Sequence, residues 1–393
     1  MKKQIFAVLM LSSLLLVGCN RNNGSKVEDL GTKDFHTQLM KNYLADEWDS
    51  ILTYVPWVSA DTGSSSHSSE MLGDVSQPEA IKLEFDEVGD ADNYVVQIAK
   101  NAEFEGAKQY ETTQKFYNFY NSELGQEYYF RAAVSEDALA QAKVKKFKVN
   151  DAAPRNIHVD GVINFRDAGG WASSLVEGAK VKQGLYYRCA QFNNGRTKNI
   201  TEDGLKTIKE LGIKVDIDMR DSYNVPEVSP ASTEDWPVEI LKGSVASSTE
   251  DWRWEGKNGD DDSIAKTYKT IFEAIAEADE KPIALHCTHG ADRTGIVSYF
   301  LLALVGVSME DCSRDYVMTR FAGERSVLPY QDSRGSRCEI GNWNTKTQAL
   351  GGDDMSFADK TYKHLNEDFG ITVDTLETIR EIFVPGYTRP AAA

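Results

Sequence analysis

Ile283-Ala284-Leu285-His286-Cys287-Thr288-His289-Gly290-Ala291-Asp292-Arg293-Thr294-Gly295 is the stretch that decides the fold. A short apolar run ends at His286 and Cys287, Arg293 follows six residues after the cysteine, and the apolar segment Ile296 to Val305 comes next. The pattern reads as strand, tight loop and helix, with a cysteine where the strand ends and an arginine where the helix begins. Such a loop aims backbone N–H groups and a helix N-terminus at one point, which makes an anion site. A cysteine placed there has its thiolate stabilised, because helix N-termini and nearby arginines lower a thiol's pKa. An anion cradle around a nucleophile is what cleavage of a phosphate ester through a cysteinyl phosphate requires.

Around this stretch, from Pro154 onward, strand-like and helix-like segments alternate. That predicts an α/β fold with a largely parallel central sheet flanked by helices. Thr201 to Leu211 is expected as a helix, with Thr201 as N-cap, Glu202 and Asp203 in the first turn and Gly212 as the stop. Ile213 to Met219 reads as a strand running into Asp218-Met219-Arg220-Asp221. Further helices are expected over Ile264 to Glu277, Met309 to Arg320 and Thr372 to Phe383. Ile296 to Val305 is apolar nearly all round and so predicts a helix buried on every side.

The N-terminal part reads differently. Met1-Lys2-Lys3 followed by the apolar run Ile5 to Val17 has the form of an export signal, too short to span a membrane. Its ending, Leu16-Val17-Gly18-Cys19, resembles the lipobox of bacterial lipoproteins. That resemblance implies removal of residues 1–18, lipidation of Cys19 and a membrane-anchored protein of the cell envelope, touching the membrane through the lipid alone. Residues 19–74 read as a lipidated linker, with one short amphipathic helix over His36 to Leu52 and a flexible serine-rich connector over Ser59 to Ser69. Over residues 75–150 the period changes to two, in Ile81 to Phe85, Tyr94 to Ile98, Tyr128 to Val134 and Val144 to Val149. A small all-β sandwich is expected there. Ala91-Asp92-Asn93-Tyr94-Val95-Val96 and Leu124-Gly125-Gln126-Glu127-Tyr128-Tyr129-Phe130-Arg131-Ala132 resemble a fibronectin type III domain. The resemblance implies a spacer, or a module that docks a protein or glycan partner.

The 393-residue chain carries a formal net charge of -18. Such a balance argues against nucleic acid or an anionic membrane surface as a partner, while one positive pocket still admits an anionic substrate. The five cysteines are Cys19, Cys189, Cys287, Cys312 and Cys338. No C-x-x-C pair occurs and histidine is scarce, so no metal or other cofactor is expected. In an exported protein a disulfide among Cys189, Cys312 and Cys338 stays open.

His286-Cys287-x5-Arg293-Thr294 resembles the signature loop of cysteine-dependent protein tyrosine phosphatases, and Gly290-Ala291-Asp292-Arg293-Thr294-Gly295 resembles the G-K-D-R-T-G of secreted bacterial tyrosine and dual-specificity phosphatases. Three further stretches fit that branch in order. Asn164-Phe165-Arg166-Asp167-Ala168-Gly169-Gly170 is similar to its N-F-R-D-L-G-G, Gly184-Leu185-Tyr186-Tyr187-Arg188 to its G-x-L-Y-R-S, and Leu211 to Arg220 to its L-G-I-x-x-V-I-D-L-R. The likeness covers a catalytic domain at 151–389. It implies a phosphomonoester hydrolase acting on phosphoprotein, phosphotyrosine above all, or on a small phosphate ester.

Under that resemblance Cys287 is the nucleophile and Arg293 the bidentate phosphate clamp. Backbone N–H groups of Thr288, His289, Gly290, Ala291, Asp292 and Arg293 bind the phosphate oxygens, and Thr294 hydrogen-bonds the sulfur. His286 orders the loop. Arg166 and Asp167 brace it or pair with each other, and Arg220 supports it. A general acid is needed for the leaving oxygen. Asp218, at the end of the neighbouring strand, is the first candidate and Asp292, in the loop, the second. The Trp-Pro-Asp acid loop of classical tyrosine phosphatases is absent, since Asp235-Trp236-Pro237 has the wrong order. Ala291 stands where the family often has a lysine linked with highly charged or lipid phosphates, which lowers the expectation for phosphoinositides. Phe321 to Phe357 reads as a long irregular insertion, and Trp252 and Trp254 as packing residues or a stacking surface.

Overall fold

The computed structural model describes residues 27–45, 76–193, 199–220, 222–243, 263–322, 339–352 and 354–391. The export signal with Cys19, the serine-rich connector, Trp252, Trp254 and Cys338 lie outside the described residues.

The N-terminal part comprises β1 (Glu28–Lys33), α1 (Gln38–Ala45), β2 (Ile81–Glu84), β3 (Tyr94–Ala99), β4 (Lys108–Thr112), β5 (Phe116–Phe119), β6 (Glu127–Ala133) and β7 (Lys145–Val149). A five-stranded sheet in the order β1-β7-β6-β3-β4 shares its core with the two-stranded sheet β2-β5. The alternation read from the sequence is what closes that core. Ile81 and Leu83 from one sheet meet Val96, Ile98, Phe130 and Phe147 from the other, and Phe119 stands edge-on to Phe147 at 6.3 Å.

One expectation fails here. Residues 28–33, taken as linker, form β1, paired parallel to β7. That strand has no apolar face to betray it. It is held by its backbone ladder and by opposite charges, with Asp29 and Glu28 on Lys146 and Lys143. The helix expected over His36 to Leu52 is present as α1, residues 46–52 lying outside the described part. Its buried residues Met40 and Tyr43 belong to the core of the C-terminal domain. Tyr43 packs on Phe321 at 5.2 Å and donates its hydroxyl to the Arg314 carbonyl at 3.0 Å.

The C-terminal part contains β8 (Arg155–Asn156), β9 (Arg166–Asp167), β10 (Tyr186–Cys189), α2 (Glu202–Glu210), β11 (Val215–Asp218), β12 (Glu239–Lys242), α3 (Ser263–Ile275) and β13 (Ile283–His286). Then follow α4 (Asp292–Leu304), α5 (Met309–Val317), a short 3-10 helix over 318–322, α6 (Glu339–Ala349), α7 (Phe357–Glu367) and α8 (Val373–Phe383). The sheet order is β12-β11-β13-β10-β9-β8, with β12, β11, β13 and β10 parallel and the two short edge strands antiparallel. Thr201 caps α2 by accepting the Gly204 N–H at 3.2 Å. The stretch read as an irregular insertion carries α6, whose Ile340 and Trp343 enter the main core. No described helix is long and apolar enough to cross a membrane.

This sheet positions the loop. β13 lies between β11 and β10, all four of its side chains buried, and α4 is buried from Thr294 to Leu304. Register brings Asp218, His286 and Cys189 level at the C-terminal ends of three adjacent parallel strands. That edge is where open α/β sheets place their sites.

Candidate active site

Cys287 is the first residue beyond β13, and α4 begins five residues later at Asp292. Ala291 offers no capping side chain at the start of that helix. The thiol of Cys287 is buried, which alone would raise its pKa. The Arg293 charge, together with Thr294 beside the sulfur, outweighs burial and holds the pKa below its usual value. Arg293 is half-buried and donates from Nη1 to the Met219 carbonyl at 2.8 Å, which ties it to the end of β11.

The loop between needs a sharp turn, and Gly290 makes it with φ +69°. A Cβ there would stand 2.3 Å from the Cys189 carbonyl oxygen, so only glycine fits. The turn is held from outside. Asn164, itself at φ +58°, donates from Nδ2 to the carbonyls of His289 at 2.9 Å and Gly290 at 3.2 Å. Arg188 donates to the Gly290 carbonyl at 2.7 Å. Arg166 donates to Asn164 Oδ1 and, at 2.7 Å, to Asp315 Oδ1. Asp315 takes Arg188 on its second oxygen. One buried carboxylate thus serves two buried guanidiniums, and each fixes part of the loop. Asp315 and Arg188 had been given no part in the site. Arg188 was quoted in a motif, whereas Asp315 sits on an ordinary amphipathic helix with nothing beside it to mark a role.

A second network lies under the sheet edge. His286 Nε2 is 2.9 Å from Asp216 Oδ1, and Nδ1 donates to the Cys287 carbonyl at 3.0 Å. Burial opposes the imidazolium, but the charges of Asp216 and Asp218 raise its pKa from 6.5 to about 9. His286 therefore orients the peptide of Cys287.

Asp218 does not fit the part of proton donor. It is fully buried, with Oδ1 accepting from Arg220 Nε at 2.9 Å and Oδ2 from Nη2 at 2.6 Å. Burial alone would raise its pKa, but His286 and Arg220 hold it below the usual carboxylate range. A group kept ionised and bidentately paired is an anchor and not an acid. Arg220, whose Nη1 also donates to the side-chain oxygens of Gln191 and Asn193 at 3.2 Å, is the other half of that anchor. Asp292 is half-buried, in the loop and in the first turn of α4. Asp167 bonds neither to the loop nor to Arg166: its charged partner is Arg155 at 2.8 Å. Ala291 is packed in the core, and the Thr288 carbonyl accepts the Gln191 N–H at 3.2 Å. Cys189 and Cys312 are buried free thiols, not joined to one another.

Residues 157–378 match the sequence profile described as the tyrosine phosphatase family. The chain is 26% identical over 205 residues to a tyrosine-protein phosphatase of Nostoc commune, across 48% of this chain and 66% of that one. It is 26% identical over 175 residues to a conjectured tyrosine-protein phosphatase of Cupriavidus necator, across 40% of this chain and 60% of that one. The matched part therefore spans less than two thirds of each relative's own length. Half of the chain is similar to crystal structures of P. aeruginosa TpbA, one of them in complex with pTyr. That likeness covers 96% and 97% of those chains at 12% identity, with TM-scores of 0.30 and 0.31.

Proposed function

The chain belongs to the tyrosine phosphatase family, and from that premise we propose that it hydrolyses phosphomonoesters, protein phosphotyrosine first among them, through a cysteinyl phosphate on Cys287. The observation that carries this reading is the placement of Cys287 between the end of β13 and the start of α4, with Arg293 and Thr294 of that helix's first turn beside it. The thiolate attacks phosphorus and forms the S–P bond as the P–O ester bond breaks. Arg293 and the loop N–H groups take the charge on the phosphoryl oxygens. The leaving oxygen takes its proton from Asp292, the carboxylate that lies in the loop itself. Water then attacks the cysteinyl phosphate, Asp292 accepts its proton, and the S–P bond breaks to return the thiolate and release phosphate.

The wider reading is of an exported lipoprotein. Cleavage before Cys19 and lipidation of its sulfur would anchor residues 19–393 in the cell envelope, with 75–150 as a fibronectin type III-like module and 151–389 as the hydrolase. Its support is the lipobox and the shared core of the two N-terminal sheets. Phosphoinositides or other small phosphate esters are the competing substrates. The packed Ala291, in place of a lysine, favours the phosphotyrosine reading over highly charged ones.

The test uses the full chain in detergent with para-nitrophenyl phosphate, a phosphotyrosine peptide and phosphoinositide vesicles, beside Cys287→Ser. Turnover of the peptide, lost in the serine variant, is the expected result. Absence of turnover on all three under reducing conditions would overturn the reading. Labelling with radioactive palmitate in a bacterial host, lost in Cys19→Ala, tests the anchor.

A further inference from the structure

The β-sandwich meets the α/β domain at a buried cation. Arg155 is 3% exposed and stands in β8, two residues ahead of the segment that matches the family. Its guanidinium reaches both ways. Nε donates to the Ser122 carbonyl at 3.0 Å and Nη2 to the Asn121 carbonyl at 2.7 Å, both between β5 and β6 of the sandwich. Nη1 donates to Asp167 Oδ2 at 2.8 Å, in β9 of the other domain. Asp167 is further fixed by the N–H groups of Gly169 at 2.8 Å and Gly184 at 2.7 Å.

The neighbour of Asp167 on that two-residue strand is Arg166, and successive strand side chains point to opposite faces. One face of β9 therefore carries the bond between the domains. The other carries the guanidinium that donates to Asn164 and Asp315 and so braces the loop. A second tie runs in parallel. Ser76, just ahead of the sandwich, accepts the Asn164 N–H on its hydroxyl at 3.2 Å and the Asn156 Nδ2–H on its carbonyl at 2.9 Å. Packing alone does not close this junction, because a cavity of about 570 Å³ lined by Tyr110, Tyr120, Asn121, Arg155 and Tyr187 opens against it. The polar clamp contributes to the attachment there, beside the bonds of Asn121 with His158 and of Leu124 with Gln183.

We propose that Arg155 is a positioning residue for the hydrolase reaction: by fixing Asp167 against the sandwich it sets β9, and through Arg166 and Asn164 it sets the turn at Gly290. The sandwich is then part of the catalytic apparatus and more than a spacer. This rests on the hydrolase reading above. A loop displaced by a fraction of an ångström binds a ground-state phosphate nearly as well but stabilises the transition state less, so the effect falls on kcat.

The experiment compares the full chain in detergent with Arg155→Leu, Arg155→Lys and Ser76→Ala, each checked for folding by circular dichroism at the assay temperature. Rates are measured on para-nitrophenyl phosphate, with the inhibition constant of inorganic phosphate as a second readout. Arg155→Leu is expected to lose about tenfold or more in kcat, with KM and the phosphate constant within about twofold. Arg155→Lys should recover part of the loss, and Ser76→Ala should lower kcat about threefold. A folded Arg155→Leu with wild-type kcat overturns the inference. Should Arg155→Leu fail to fold, an unchanged kcat in Ser76→Ala overturns it equally. A wild-type chain with no turnover overturns the hydrolase reading itself, whereas an active wild type with unaltered variants overturns only the role of Arg155.

Discussion

Arg188 donates to the Gly290 carbonyl at 2.7 Å from the strand beside the one that delivers the cysteine. The turn that presents Cys287 is thus held by a buried cation on the neighbouring strand. That cation is balanced by Asp315, which Arg166 shares. Burial would raise the carboxyl's pKa, and the two guanidiniums hold it down.

Asp315→Asn should therefore be among the costliest substitutions outside the loop. It leaves two buried guanidiniums without their counter-charge. Removing one partner of a buried ion pair costs about 3–5 kcal/mol. The urea midpoint should fall accordingly, and the protein that remains folded should turn over para-nitrophenyl phosphate at least about tenfold more slowly, since both loop braces loosen. A midpoint and a rate both close to wild type would show that the two arginines find other partners.

The two candidate acids separate cleanly by experiment. Asp218→Asn removes the anion that Arg220 and His286 face, so a loss of stability of about 3 kcal/mol is expected, with activity falling alike on every substrate. Asp292→Asn should lose the alkaline limb of the kcat profile. Its loss should be least on substrates with good leaving groups, because those need the least protonation. Equal sensitivity to leaving group in Asp292→Asn and the wild type would remove Asp292 from that role.

The strand-loop-helix at 283–304 was legible because the residues that identify it are also the residues that shape it. An apolar strand, a glycine forced by a close approach and an apolar helix leave a period in the chain. The Thr201 cap was legible for the same local reason. What escaped was non-local or unpatterned. β1 has one apolar residue in Leu30 and pairs through its backbone with residues more than a hundred positions away. Asp315 gains its meaning from two arginines 149 and 127 positions distant. Asp218 looked like an acid at a strand end because the motif places it there. Only the bidentate closure by Arg220, two residues on, shows that the charge is already in use.

α1 offers a test of how far the N-terminal segment belongs to the hydrolase. Tyr43 has no exposed surface, packs within the α/β core and bonds to Arg314, whose guanidinium in turn donates to the Tyr43 carbonyl at 3.2 Å. Tyr43→Ala should cost about 3–5 kcal/mol, as for other large aromatic truncations in a core. Thermal melting of the full chain should show the loss in the transition that also abolishes turnover. A melting temperature unchanged by Tyr43→Ala would return the segment to the status of a linker.

His286 fixes the sign of the alkaline stability limb. In the folded chain its pKa stands at about 9, against 6.5 for the free side chain, because Asp216 and Asp218 favour the imidazolium more than burial opposes it. A raised folded pKa stabilises fully below the unfolded value and is lost as pH climbs from about 6.5 through about 9. The shift corresponds to about 3 kcal/mol. Asp218 acts in the opposite direction, since its lowered pKa gives stability that is present above the ordinary carboxylate range and lost on acidification. His286→Gln, which keeps a hydrogen-bonding amide but no charge, should lower the urea midpoint at about pH 6 and flatten its decline toward about pH 9. Other titrating groups are common to both proteins and cancel in the comparison. Parallel declines in the two proteins across that window would show that His286 is neutral in the fold.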